Sequence, residues 1–201
     1  DKALTAAYDR GEDLHTLTAK AVLGIQDVTK GHRQLAKAIN FGLLYGMGAK
    51  GFRQYAKTTY GVGMTEGEAG EYRNAFFRAY PGLRKWHNRA GDKPKDTRTL
   101  TGRRVLGVER FNEKLNLPVQ GTGADGLKAA MGLLWERRAE VPTARLVLAV
   151  HDELVVEVPE ADAERAKTWL VTAMKDGMAP LVAPIPVEVE ARVGRSWAGG
   201  D

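Results

Sequence analysis

Arg33-Gln-Leu-Ala-Lys37-Ala-Ile-Asn-Phe41-Gly-Leu-Leu-Tyr45-Gly46 is the stretch on which the reading of this sequence turns. Leu35, Ala36, Ile39 and Leu43 recur at helical spacing and predict a helix from about Thr29 to Tyr45, closed by Gly46 and Gly48. Within it Arg33, Lys37, Phe41 and Tyr45 follow one another at four-residue steps. Four residues advance ~400° around a helix, so each side chain stands ~40° from the last along a ridge about 18 Å long. One helix edge therefore carries two cations and then two aromatic rings. Cations grip phosphates and rings stack on a sugar or base, the pairing a nucleotide requires. The competing reading makes Phe41 and Tyr45 core anchors whose neighbouring cations only snorkel to water.

Charge alone favours a solvated basic face, and it is the arrangement of residues within it that points to phosphates. The 201 residues carry a net +5, but residues 1–104 hold +9 and residues 105–201 hold −4. From Val28 to Thr65 there is no Asp or Glu, while Lys30, Arg33, Lys37, Lys50, Arg53 and Lys57 fall inside. Such a run is either a solvated basic face or an electrostatic footprint for phosphates. The absence of cysteine excludes disulfide scaffolds, thiolate metal sites and Cys nucleophiles. No apolar run approaches the ~18 residues of a membrane span, so no membrane partner is expected.

Around the central helix, residues 3–23 read as two helical pieces broken near Asp9-Arg10-Gly11. Thr65 and Glu68 form a capping signature for a helix to about Ala79, and a short helix follows the Pro81-Gly82 break. Gly91–Thr97 reads as a linker, which divides the chain into a helical, basic domain at residues 1–90 and a second domain at 91–201. In the second, a helix from about Val119 to Arg138 turns Leu127, Ala130, Met131, Leu134 and Trp135 inward. Leu146–Val150 and Leu154–Val158 form a hairpin with His151-Asp152-Glu153 at its tip. A helix over 160–174 and an alternating strand over Val187–Val193 complete an α+β architecture: helical subdomain plus a small antiparallel sheet packed on helices.

Three of these stretches together resemble family A DNA polymerases, the DNA polymerase I group. The 33–46 helix is similar to the family's fingers motif, Leu148-Ala-Val-His151-Asp152-Glu153-Leu154-Val155 to its palm hairpin, and Asn116-Leu-Pro-Val-Gln120-Gly-Thr-Gly-Ala-Asp125 to a third motif. Asp13-Leu-His15-Thr16, Thr99-Leu-Thr-Gly-Arg103-Arg104 and Gly194-Arg-Ser-Trp197 are lesser matches in the same order. The resemblance implies a fingers subdomain followed by a palm, and template-directed DNA synthesis from a dNTP on a primer 3′-hydroxyl with two Mg²⁺ ions. It implies Asp152 as metal ligand and Glu153 as a weaker one. Arg33, Lys37 and His15 would then bind the triphosphate, Lys37 also protonating the leaving pyrophosphate. Phe41 would lie at the sugar and Tyr45 would stack at the template edge. Asn116 and Gln120 would face the minor groove, whose acceptors every base pair displays, while Arg103, Arg104 and His151 would contact DNA. Asp125 is expected to organise a helix start.

The family's upstream strand, similar to Asp-Tyr-Ser-Gln-Ile-Glu, carries the other catalytic aspartate and does not occur in this sequence, which opens at Asp1-Lys2. The resemblance thus marks a C-terminal portion. Its partners are expected to be primer–template DNA, dNTP, and a second chain or missing N-terminal segment that supplies the other aspartate and the thumb. The expected setting is the cytoplasm of a bacterial or phage-infected cell. A non-catalytic DNA- or nucleotide-binding module is the alternative. Gly46-Met-Gly48-Ala-Lys-Gly51 also matches the dinucleotide fingerprint G-x-G-x-x-G, but it follows a helix and has no βαβ unit around it.

Overall fold

A computed structural model describes residues 1–91 and 96–198. The expected linker at Gly91–Thr97 falls mostly on residues 92–95, outside the described residues. The chain divides into two compact units: residues 1–97 with 104–117, and residues 98–103 with 118–201.

The first unit is helical: α1 (Lys2–Asp9), α2 (Leu14–Leu23), α3 (Lys30–Leu44), α4 (Ala49–Tyr60), α5 (Glu66–Ala79) and α6 (Pro81–Gly91). Each boundary has a local cause. Asp13 caps α2, its carboxylate accepting from Thr16 N–H at 2.7 Å, and Gly24 closes the helix in the left-handed region. Thr29 caps α3 in a capping box with His32, and Thr65 caps α5 in one with Glu68. The expected break between helices falls at Tyr80, and Pro81 occupies the first position of α6, where its missing N–H is harmless.

The helix α4 lies in a stretch read only as basic surface, and it supplies part of the core. Phe52 and Ala56 are fully buried with Ile39, Leu43, Phe76 and Tyr80. Burying an Ile, Leu or Phe stabilises by about 1.5–3 kcal/mol, so this cluster fixes which face of α3 turns inward and leaves the other to solvent. Gly46, at φ +84°, ends the α3 region; a Cβ there would stand 2.7 Å from the Phe111 ring.

The second unit is built on a hairpin, one whole helix and the part of another from Pro118 onward. α7 (Phe111–Glu136) starts two turns before the expected Val119 and runs through Pro118. Proline inside a helix removes one ladder donor, and the Thr122 hydroxyl bonds the Pro118 carbonyl at 2.6 Å in the next turn. Leu134 and Ala130 are buried as expected, but Trp135 is 69% exposed with the Arg138 guanidinium stacked 4.3 Å over its ring. One helical turn at Glu160–Asp162 leads into α8 (Ala163–Val182), which ends about two turns beyond the expected position 174. α8 meets α7 closely, since a Cβ on Gly177 would lie 2.5 Å from Ala130 N. Ala166, Trp169 and Ala173 bury its inner face against Leu134, Val141 and Leu154.

β3 (Arg145–Val150) pairs antiparallel with β4 (Glu153–Glu157), from Val150 opposite Glu153 to Arg145 opposite Glu157, with a bulge between Leu146 and Leu148. A second two-stranded sheet, β1 (Asp96–Arg98) with β2 (Arg104–Leu106), was not anticipated. Val187–Val193 does not form the expected strand. Its alternation suits an extended segment, but strand pairing needs a partner edge, and none of the described strands hydrogen-bonds to it. Helices and small sheets together make an α+β fold.

Candidate functional site

In the first unit the site is the outward edge of α3. Ala36, Ile39 and Leu43 are buried, so Arg33, Lys37 and Phe41 are turned away from the core. Phe41 is 47% exposed, which removes it from the core-anchor reading. Tyr45, half-buried, is the residue at which the helix ends. Behind it the His87 imidazole donates from Nε2 to the Leu44 carbonyl at 2.7 Å, satisfying one of the C-terminal acceptors. Burial holds the His87 pKa below its ordinary value despite that bond, and Arg73 adds to the effect.

Arg33 does not stand free. Its guanidinium forms a two-pronged ion pair with Asp13, at 2.6 and 3.1 Å. The Arg33 hydrogen bonds hold the Asp13 carboxyl far below the usual carboxylate range, with Thr16 helping and partial burial opposing. Lys37 has no carboxylate partner among the described residues. In the first turn of α2, the His15 ring lies 5.6 Å from that of Phe41. Burial depresses the His15 pKa; Arg33 and Lys37 depress it further, while Asp13 opposes them. The shift is toward the neutral ring. Its Nδ1 meets Asn40 Nδ2 at 2.9 Å, Asn40 Oδ1 accepts from Thr18 at 2.9 Å, and Thr18 Oγ1 lies 2.8 Å from the Tyr80 hydroxyl. Asp13, Asn40, Thr18 and Tyr80 were not read as site residues. Only Asp13 carried a signal, as a polar cap before a helical run; the others are linked by contacts up to 62 positions apart.

In the second unit the site is the hairpin tip. Register leaves His151 and Asp152 as a two-residue turn, and His151 takes φ +55°, a left-handed value that costs a non-glycine residue about 1–2 kcal/mol. Asp152 is exposed and has no hydrogen-bond or ion-pair partner among the described residues. Glu153 begins β4, and its carboxylate accepts from the Trp197 indole N–H at 2.7 Å. Arg103 binds Asp125 at 2.8 Å and the Gly121 carbonyl at 3.0 Å. Asp125 therefore ties the 99–103 turn to the interior of α7 and does not organise a helix start. Partial burial would raise its pKa, but hydrogen bonds from Thr101, Thr99 and Arg103 outweigh that and lower it. Arg104 pairs with Asp96 at 2.8 Å in the first unit. Asn116 and Gln120 lie on α7 on either side of Pro118, half-buried and exposed respectively.

The sequence model of DNA polymerase family A matches residues 1–199. The chain belongs to DNA polymerase family A. Within the family it is 40% identical over 205 residues to DNA polymerase I of Aquifex aeolicus, covering 98% of this chain and 36% of that one. It is 36% identical over 213 residues to the thermostable DNA polymerase I of Thermus aquaticus, covering 98% and 24%. A solved structure, the POL domain of Pol1 from M. smegmatis in complex with DNA primer–template and dNTP, superposes with a TM-score of 0.82 at 30% identity, over 96% of this chain and 36% of that one. The chain thus spans roughly a quarter to a third of the length of these family A relatives.

The family implies magnesium, and the donors at the tip are of the right kind. Asp152 and Glu153 offer hard carboxylate oxygens, which Mg²⁺ prefers, and Mg²⁺ is commonly held by only one or two carboxylates together with substrate phosphates. Among the described residues no three His, Cys, Asp or Glu side chains converge as a self-sufficient cage. The tip fits a shared Mg²⁺ site, not a complete one. No helix among the described residues is long and apolar enough to cross a membrane.

Proposed function

We propose that this chain forms the fingers and part of the palm of a DNA-directed DNA polymerase. It binds dNTP on α3 and contributes one metal-binding carboxylate from the β3–β4 tip to nucleotidyl transfer onto a primer 3′-hydroxyl. The observation that carries the reading is the α3 edge: an exposed Phe41 in line with Arg33 and Lys37, on a helix whose opposite face is buried, in a family A chain.

The chemistry asks for neutralised phosphate charge and an attacking oxygen in line with the leaving group. Arg33 and Lys37 grip the triphosphate. Lys37, a mobile ammonium, also donates the proton that the departing pyrophosphate takes up. Phe41 packs against the sugar and Tyr45 stacks at the template edge, with Gly46 allowing the helix end to turn. Asn116 and Gln120 offer amides to the minor groove, and Arg103, Arg104 and His151 lie toward DNA phosphates. Asp152, with Glu153 in a lesser part, would hold Mg²⁺, which when bound would supply neutralisation of triphosphate charge and activation of the hydroxyl.

The second catalytic carboxylate and the thumb come from polypeptide outside these 201 residues, as the share of the relatives covered suggests. The exposed Leu146, Val147 and Leu148 of β3 are consistent with a further palm segment lying against this strand. Primer extension with Mg²⁺ tests the reading, with and without the N-terminal remainder of a family A polymerase. Incorporation is expected only in the supplemented mixture and only with Asp152 intact. A supplemented mixture that incorporates nothing, or an Asp152→Ala chain that works equally well, would leave a binding module without catalysis.

A further inference from the structure

At the α3 edge, a line of four side chains, buried at Tyr80 and Thr18 and half-buried at Asn40 and His15, connects Tyr80 to His15, and its polarity can be read from proton counting. Tyr80 is 1% exposed and Thr18 is fully buried. The Tyr80 hydroxyl has one partner among the described residues, Thr18 Oγ1. A buried hydroxyl proton without an acceptor is costly, so Tyr80 donates to Thr18. Thr18 has a single proton of its own and gives it to Asn40 Oδ1. That fixes the Asn40 amide, whose Nδ2 then donates to His15 Nδ1. The reverse direction would run His15 to Asn40 to Thr18 to Tyr80 and strand the phenol proton in the core. Because Nδ1 accepts, the proton of the neutral imidazole sits on Nε2, which has no partner among the described residues.

We infer that Asn40, at the end of a one-way relay from Tyr80 and Thr18, is a positioning residue that locks His15 as an Nε2–H donor for a phosphate oxygen of the incoming nucleotide. The inference rests on the nucleotide reading of α3 and adds to it how the histidine is prepared. A freely titrating or tautomerising imidazole would present a lone pair to the phosphate part of the time. The relay removes that form. It also accounts for a polar Asn directly before Phe41, on a helix whose neighbouring Ala38 and Ile39 are buried.

Long-range proton–nitrogen NMR on the ¹⁵N-labelled chain reads the tautomer directly. The wild type is expected to show a protonated Nε2 and a bare Nδ1 at pH 7. Asn40→Asp presents only acceptors, so it should draw the proton to Nδ1. Should that variant fail to fold, Tyr80→Phe removes the starting donor without adding charge and should produce a mixture of tautomers. Titration with dATP and with inorganic tripolyphosphate supplies the second readout. Both ligands should move the His15 Nε2 signal in the wild type, and dATP affinity should weaken about tenfold in Asn40→Asp, the size of one lost charge-assisted bond. A protonated Nδ1 in the wild type, or variants whose tautomer is unchanged, would overturn the relay. Failure of the nucleotide reading looks different: dATP would then leave the signals of Arg33, Lys37 and His15 unmoved whatever the tautomer, which would overturn the phosphate contact.

Discussion

The α3 edge and the hairpin tip present their functional groups in opposite ways. At the α3 edge, Arg33 is held by Asp13, and the neighbouring His15 by Asn40, Thr18 and Tyr80, so these two groups have internal partners before any ligand arrives, while Lys37 has no carboxylate partner among the described residues. At the tip, Asp152 projects from a strained two-residue turn with no partner among the described residues, and Glu153 has only the Trp197 indole. The difference fits two tasks. A nucleotide must be met by donors already aimed, because ordering them on arrival costs binding energy. A carboxylate that shares a cation with substrate and other chain segments is better left open to them.

The contrast can be broken most strongly by salt. If about five cations of the first unit contact phosphates, duplex affinity should fall with a log–log slope near −4 to −5, about 500-fold between roughly 50 and 200 mM. Filter-binding isotherms would show it, and Lys50→Ala should reduce the slope by about one while a neutralised cation on α8 should not. Next comes stability. Thr18→Val leaves Asn40 Oδ1 and the buried Tyr80 hydroxyl unpaired and should cost about 1–3 kcal/mol in denaturant unfolding. Asp152→Ala, at an exposed tip, should stay within about 0.5 kcal/mol. Asp13→Ala should cost about 1 kcal/mol through the lost α2 cap alone.

The smallest effect is in pH. The Asp13 carboxyl is depressed in the folded chain, so its contribution is complete above its unfolded value of about 3.9 and lost as pH falls below it. Thermal melting of the wild type should therefore drop more steeply below about pH 4 than that of Asp13→Asn, which retains a capping side chain.

The legible features were those written in local chemistry. The α3 periodicity, the Thr65–Glu68 capping box and the polar tip between apolar runs each rest on neighbours within four residues, and each stands as expected. What escaped depends on distant partners. α4 contains Gly51 and a Thr58-Thr59 pair, weak helix formers, and is held by burying Phe52 and Ala56 against α3 and α5. Pro118 reads as a helix start, yet α7 passes through it. Val187–Val193 has the alternation of a strand, but alternation cannot supply an edge to pair with. At the site, the ridge of cations and rings was plain, whereas the Asn40 relay joins residues from α2, α3 and the end of α5, which no spacing rule connects.

The division of labour is tested most directly by single-nucleotide incorporation rates against dNTP concentration in the completed polymerase. Lys37→Ala and Asp152→Ala are the two variants to compare with the wild type. The expected result is a KM raised at least about tenfold for Lys37→Ala, as one lost charge-assisted phosphate contact requires. For Asp152→Ala a saturating rate about a thousandfold lower with KM little changed is expected, as loss of transition-state charge stabilisation requires. An Asp152→Ala enzyme that keeps its saturating rate, or a Lys37→Ala enzyme with unaltered KM and rate, would contradict the account.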